Sequence, residues 1–214
     1  MDGLLLDTEP LYQLACSRAA SALGYTLNAE LNRSLIGLSE SASLNRLREN
    51  FGEGFSASRF RCLCAEHWEA YVVEHGITVK PGVLALLGLL ETGHIPFAIA
   101  TASHQRNAWL SLDGAGLLER FPTVVTGDQV CAGKPAPDIY IEAASRMGVA
   151  PDRCIAFEDS TPGLLAAVRA GMRAILVPDL EQPSVSAMRK ALYVLPSLEP
   201  AHDIIQSLIS PPNH

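Results

Sequence analysis

Four polar residues stand where they could assemble a site for a phosphate group and a divalent cation. Thr101 directly follows the apolar run FAIA, and Lys134 lies in the loop AGKPAPD. Glu158 and Asp159 directly follow CIAF. If the apolar runs are parallel strands, their carboxyl ends meet at one rim, where such folds bind ligands. Carboxylate oxygens suit Mg²⁺, and a lysine and a hydroxyl can hold phosphate oxygens.

Each of these residues also has a purely structural interpretation. Thr101 could cap the next helix, and Lys134 could be a solvated loop cation. Glu158 and Asp159 could lie in a turn, although two carboxylates directly after an apolar strand are less often accidental. Order and spacing together favour the site.

The cysteines carry a weaker signal. The stretch Cys62-Leu-Cys64-Ala-Glu-His67 has the appearance of half a zinc site. No second ligand pair follows, and residues two apart diverge on a helix, so ordinary helix packing is favoured. The five cysteines are odd in number and scattered, which predicts reduced thiols rather than a disulfide framework.

Two patterns of elements would position these residues. After Gly76, the apolar runs PFAIAT, VVTG, RCIAFEDS and RAILVPD alternate with helix-length segments. Apolar strands that alternate with helices predict an α/β fold, a Rossmann-like parallel sheet with helices on both faces. Residues 9–76 instead predict three helices. The first stops at Gly24, the second follows Ser39 and breaks near Gly52, and the third ends at about His75.

Composition excludes several functions. With 214 residues, 48% of them apolar, the chain can bury a substantial core. A net charge of −7 argues against binding nucleic acid or an anionic membrane. No apolar run reaches the roughly 18 residues needed to cross a bilayer, and no basic segment opens a signal peptide. We expect a cytoplasmic protein.

The segments DGLLLDTEP, AIATAS, GKPAPDIY and FEDS followed by Gly163 resemble, in order, the motifs of the haloacid dehalogenase superfamily. The resemblance spans nearly the whole chain and extends to the small helical cap of the phosphoglucomutase-like branch. It implies an α/β core of residues 1–8 and 77–214 with a cap of residues 9–76. It also implies Mg²⁺ as cofactor and a small phosphorylated metabolite as substrate, in a monomer or weak homo-oligomer.

The same resemblance assigns roles. In the family motif Asp-x-Asp-Gly, the first Asp attacks phosphorus and the second, matched by Asp2, donates and accepts protons. Thr101 and Lys134 match the hydroxyl and the lysine that stabilise the phosphoryl group. Glu158 and Asp159 match the acidic pair that binds Mg²⁺, with the backbone carbonyl of Asp2 as a further ligand.

The attacking Asp has no counterpart in this sequence, because Met1 occupies the x position. The apolar strand expected before it is also missing. Either the chain is a damaged or non-catalytic member, or its reading frame was begun at an internal methionine. We favour the second, because losing a central strand would leave backbone groups unpaired at about 1–3 kcal/mol each. Asp7 matches another position, at the cap junction, and is no obvious substitute.

Substrate contacts are less clear. The candidates are Gly3 and Glu9 in the first motif, and Ala102, Ser103 and His104 in the second. Glu9, Ser103 and His104 could each cap a helix instead.

Two positions favour hydrolysis over transfer. Tyr12 and Glu40 stand where the resembling mutases carry a His and an Arg. Without those groups the chain is poorly suited to hold a bis-phosphorylated sugar. We therefore expect a phosphatase, with a β-phosphoglucomutase-like mutase or a non-catalytic phosphate-binding relative as alternatives.

Overall fold

A computed structural model describes residues 1–35, 38, 40–180 and 183–209, with only the backbone of Glu40 and Ile209. The chain divides into two compact units. One comprises Met1–Asp7 and Thr78–His214, and the other comprises Thr8–Ile77. Within the described residues, no helix is both long enough and apolar enough to cross a membrane.

The unit of Thr8–Ile77 is helical. It contains α1 (Glu9–Ala22), α2 (Ala29–Arg33), α3 (Glu40–Phe51) and α4 (Ala57–His75). Its core combines small side chains of α1 with an aromatic cluster in which the Tyr25 and Phe51 rings stack at 4.6 Å. The three predicted helices are confirmed as α1, α3 and α4. Ser39 lies outside the described residues, and the short α2, capped by the Asn28 side chain, was not predicted.

The other unit is α/β. Its strands are β1 (Ile99–Ala100), β2 (Val124–Val125), β3 (Ile155–Glu158), β4 (Arg173–Leu176) and β5 (Tyr193–Val194). Its α-helices are α5 (Val83–Thr92), α6 (Gln105–Gly114), α7 (Asp138–Met147), α8 (Thr161–Arg169), α9 (Val185–Met188) and α10 (Ala201–Ile209). Short 3₁₀ helices span Leu118–Arg120, Gly127–Gln129 and Pro151–Arg153. In the described part of the chain these strands pair only in parallel, which confirms the predicted class.

The parallel strands form two sheets rather than one. β1 pairs with β2, and β3, β4 and β5 lie in that order in the second sheet. No strand in the described part of the chain pairs with the second edge of β1 or of β3. Residues of both strands line one largely apolar cavity of about 700 Å³, together with Met1. The sequence predicts a single sheet. In the described residues the strands instead form two sheets, with this cavity between β1 and β3.

The core of the α/β unit lies beside β3 and β4. Side chains of α7 and α8 pack there, and Ile139, Leu164 and Leu176 are almost completely buried. At the start of α8, the Ser160 hydroxyl accepts a hydrogen bond from Gly163 N at 3.2 Å, which satisfies a backbone donor of the first turn. Packing and capping thus fix the segment that follows the carboxyl end of β3.

Candidate functional site

Thr101 lies immediately after β1 and is buried. Its backbone N–H donates to Val125 O at 2.9 Å, and its Oγ1 accepts from Ser103 N at 3.2 Å. Thr101 does not cap α6. The first backbone N–H of that helix, Gln105 N, donates instead to Asp128 Oδ1 at 3.0 Å. The Thr101 hydroxyl is thus held within its own turn, at the end of the strand.

Asp2 and Gly3 lie in the same region. Asp2 Oδ2 accepts a hydrogen bond from the Ser103 hydroxyl at 2.8 Å. Gly3 has φ +70°, and a Cβ added there would stand 2.5 Å from Asp159 Oδ2 and 3.1 Å from Asp179 Oδ2. A side chain at Gly3 would therefore collide with the Asp159 carboxylate, crowd that of Asp179 and strain the backbone. Glycine allows the Asp2-Gly3 turn to lie directly against Asp159.

Lys134 and Glu158 form a buried ion pair, with side chains 11% and 4% exposed. Lys134 Nζ donates to Glu158 Oε1 and, at 3.1 Å, to Ala100 O. Tyr140 also donates its hydroxyl hydrogen to Glu158 Oε1, while Ser160 Oγ donates to Oε2 at 3.2 Å. Lys134 is therefore not a solvated loop cation, and Glu158 holds it at the end of β1.

Gly163 makes room for the Glu158 carboxylate. A Cβ added at Gly163 would stand 1.9 Å from Glu158 Oε2. Residue 163, which follows FEDS in the sequence, is a glycine because the first turn of α8 packs directly against the Glu158 side chain.

The carboxyl groups of this region respond differently to burial. Burial acts to raise the pKa of Glu158, but the Lys134 and N-terminal ammonium groups, with hydrogen bonds from Lys134 and Tyr140, hold that pKa below its usual value. Burial raises the pKa of Asp159, and the Glu158 charge adds to the rise. Burial and the Glu158 charge also raise the pKa of Tyr140. Tyr140 thus remains a hydrogen-bond donor, while Glu158 keeps its charge.

Sequence reasoning missed two charged residues here. Lys80 Nζ donates to Gly3 O at 2.7 Å and forms an ion pair with Asp179 Oδ1 at 2.5 Å. Asp179 lies shortly after β4, so the end-of-strand rule that selected Glu158 could have found it. Lys80 has no comparable signal, because only the folded chain brings it to the Gly3 carbonyl.

We call Asp2, Gly3, Thr101, Ser103, Lys134, Glu158 and Asp159 the rim site. Two other candidates in this unit, Ala102 and His104, lie between β1 and α6. His104 is exposed, with its Nδ1 3.9 Å from Asp128 Oδ2. The Ala102 carbonyl would stand 2.4 Å from a Cβ at Gly127. Asp7 is tied by its backbone N–H to Thr78 O at 2.9 Å.

The remaining candidates belong to the helical unit. Glu9 begins α1 and its Oε1 accepts from Gln13 Nε2 at 3.2 Å. Tyr12 lies one turn further, with its ring 6.4 Å from that of Trp68 in an edge arrangement. The Glu40 side chain lies outside the described residues.

Two places in the described residues carry side chains of metal-ligand type. Among the described residues, no group of three or more His, Cys, Asp and Glu side chains is arranged to hold a metal ion. Cys62 donates to Glu66 Oε1 at 3.3 Å, and Cys64 donates to Cys16, so these cysteines have partners within the helices. The metal donors of the rim site are oxygens, among them the carboxylates of Asp2, Glu158 and Asp159, and Mg²⁺ prefers oxygen ligands.

Comparison with known proteins agrees with the motifs. A sequence profile of haloacid dehalogenase-like hydrolases matches residues 1–177. A phosphorylated carbohydrates phosphatase of Thermotoga maritima is 36% identical over 82% of this chain and 81% of its own length. A probable pseudouridine-5'-phosphatase of Drosophila melanogaster is 33% identical over 94% of this chain and 89% of its own length.

The fold has a solved counterpart. A crystal structure from Thermotoga maritima, provisionally assigned as a β-phosphoglucomutase, superposes with a TM-score of 0.85 at 31% identity, covering 98% of this chain and 97% of the other. Motif order, profile match and fold agree: the chain belongs to the haloacid dehalogenase-like hydrolases.

Proposed function

We propose that the protein is a Mg²⁺-dependent phosphatase of small phosphorylated metabolites, sugar phosphates or similar phosphomonoesters, in the cytoplasm. The observation that carries the proposal is the convergence of Asp2, Thr101 and Lys134 at one rim, through the Ser103–Asp2 hydrogen bond and the Lys134–Ala100 contact. Two relatives named as phosphatases of phosphorylated compounds support the reaction class.

The phosphoryl group would be bound by a hydroxyl and a cation. The Thr101 hydroxyl and the Lys134 ammonium lie at the end of β1, and the Ser103 backbone N–H donates to that hydroxyl. Glu158 keeps Lys134 in place, since a lysine paired to a buried carboxylate has little rotational freedom. Such fixed donors stabilise the negative charge that develops on phosphoryl oxygens during transfer.

Asp2 would act as general acid and then as general base. Its carboxylate is oriented by Ser103 at 2.8 Å. It would protonate the leaving oxygen and afterwards take a proton from the water that attacks the aspartyl-phosphate. In the family motif the attacking carboxylate stands two positions before Asp2, a position that precedes Met1. A carboxylate at that position would attack phosphorus and form the covalent intermediate.

The rim site fits Mg²⁺ by the chemistry of its donors. Asp159 would be the principal side-chain ligand, because Gly3 allows its carboxylate to approach the Asp2-Gly3 backbone, and the Asp2 carbonyl would be a second. Glu158 adjoins the site, but hydrogen-bond donors already contact both of its oxygens. Bound Mg²⁺ would offset the charge of the phosphate and of the attacking carboxylate.

Substrate choice is assigned to the helical unit and to Gly3, Ala102, Ser103 and His104. Glu9, at the start of α1, is the candidate from the helical unit, as the resemblance to the family implies. Tyr12 and Glu40, in place of the mutase His and Arg, favour transfer to water over transfer to a sugar.

Phosphate release tests this proposal. A protein extended so that an Asp directly precedes Met1 should release phosphate from several small phosphomonoesters with Mg²⁺ and without a bisphosphate activator. β-Glucose 1-phosphate separates the two reactions, since a phosphatase yields glucose and phosphate. Efficient conversion to glucose 6-phosphate that outpaces phosphate release would overturn hydrolysis in favour of a mutase.

A further inference from the structure

Two cysteines lie side by side in the core of the helical unit. Cys16 is on α1 and Cys64 is on α4, and Cys64 Sγ donates a hydrogen bond to Cys16 Sγ at 3.5 Å. Both side chains belong to the buried cluster. Cys16 is 4% exposed and Cys64 is 6% exposed. A disulfide has its sulfurs about 2.05 Å apart. Rotation of the two side chains and small helix movements would have to supply the remaining approach of about 1.5 Å.

The environment makes one thiol the nucleophile and the other its partner. The hydrogen bond from Cys64 lowers the pKa of Cys16, against the effect of burial, and the Tyr12 hydroxyl adds to the lowering. The same thiol–thiol bond and burial raise the pKa of Cys64. The directions of these two shifts favour Cys16 as the attacking sulfur and Cys64 as its partner.

We propose that Cys16 and Cys64 are an oxidisable dithiol that forms a disulfide between α1 and α4 when the protein meets a hydroperoxide. The Cys16 thiolate attacks the terminal peroxide oxygen, which releases water or an alcohol and leaves a sulfenic acid. The Cys64 sulfur then attacks the Cys16 sulfur, and the sulfenic hydroxyl leaves as water with the thiol proton. Two thiols and one hydroperoxide give one disulfide, one water and one further water or alcohol.

The bond would restrain the helix that carries Glu9 and Tyr12. Glu9, Tyr12 and Cys16 follow each other at helical spacing along α1, so they lie on one side of it. The disulfide would also close a loop that contains α2 and α3. Closure of a loop of this length should raise the melting temperature of the oxidised protein by about 5–15 °C.

Thiol mapping of the full chain tests the proposal and needs no substrate, so it stands apart from the phosphatase assay. The protein is treated with hydrogen peroxide, denatured, alkylated and digested, and linked peptides are identified by mass. The expected product joins Cys16 to Cys64 and disappears on treatment with dithiothreitol. A product in which both cysteines remain alkylatable, or in which the links involve the exposed Cys62 and Cys131 instead, would overturn it.

A matched variant separates the pair from general oxidation. In Cys64→Ser, Cys16 can still form a sulfenic acid but cannot be joined to position 64, so a sulfenic-acid trap should label Cys16. Cys62→Ser should still form the Cys16–Cys64 disulfide, because Cys62 contacts Glu66 rather than the pair. Circular dichroism of the reduced variants checks their folding. Loss of the disulfide in Cys62→Ser, with folding intact, would contradict the assignment.

Discussion

A strand placed in the cavity between β1 and β3 should stabilise the α/β unit. The proposed change adds five Val and Ile residues, followed by Asn, directly before Met1. Asn is chosen so that the experiment tests packing without supplying an attacking carboxylate. Met1 lines the cavity, so a segment attached to its amino group can enter there.

Backbone geometry sets the magnitude. The carbonyls of Cys154 and Glu158 accept bonds from the β4 side, so the alternating residues Ile155 and Phe157 present their backbone groups to the cavity. Ile99 and Thr101 donate to the β2 side, which leaves Ala100 facing the cavity. An inserted strand could form roughly six hydrogen bonds with these residues, at a net 0.5–1.5 kcal/mol each.

The other contributions nearly cancel. Burying five apolar side chains gives about 1.5–3 kcal/mol each, and ordering each residue costs a similar amount in backbone and side-chain entropy. The free energy of unfolding should therefore rise by about 5 kcal/mol, and the melting temperature by about 10–20 °C.

The assay is thermal melting with amide hydrogen exchange at Ala100, Ile155 and Phe157. The control is an extension of the same length built from Gly and Ser, which cannot bury apolar surface. The apolar extension should protect these amides and raise the melting temperature, and the control should do neither. Equal behaviour of the two extensions would refute the interpretation of the cavity as a strand-binding site.

Three substitutions test the rim site. Gly163→Ala should cost about 1–3 kcal/mol because its Cβ would stand 1.9 Å from Glu158 Oε2, whereas Gly133→Ala, with open space around it, should melt nearly as the parent does. Lys134→Met should destabilise the fold by about 3–5 kcal/mol by leaving Glu158 buried without its cation; denaturant unfolding that matches the parent would contradict the ion pair. Mg²⁺ should raise the melting temperature of the parent by mass action but not that of Asp159→Ala, and an equal response would remove Asp159 as a ligand.

The sequence was sufficient to locate the polar residues at the strand ends. It was not sufficient to identify the side chains that contact them. Thr101 and Glu158 could be located because apolar strands have a recognisable pattern and parallel strands end at one rim. Tyr140 and Lys80 could not, because their contacts with Glu158 and Gly3 depend on how α7 and the segment before α5 pack. Partner choice is a property of the tertiary fold, and local pattern does not encode it.

The elements show the same division. Long apolar or amphipathic segments such as α4 and α7 were found, since their burial follows from periodicity. β5 (Tyr193–Val194) was not predicted, although its two exposed residues lie within the apolar run ALYVL. The division of the parallel strands into two sheets could be anticipated only from the resemblance, which places a strand before the first motif.

Phosphate release by two matched extended proteins decides whether the rim site is catalytic. Both carry the five-residue Val and Ile segment before Met1, followed in one by Asp and in the other by Asn. We predict that the Asp protein hydrolyses phosphomonoesters, while the Asn protein is equally stable and the unextended chain has little or no turnover. Turnover by the unextended chain at ordinary enzymatic rates, around 1–10³ per second, would contradict the account and make Asp7 the first alternative nucleophile to test.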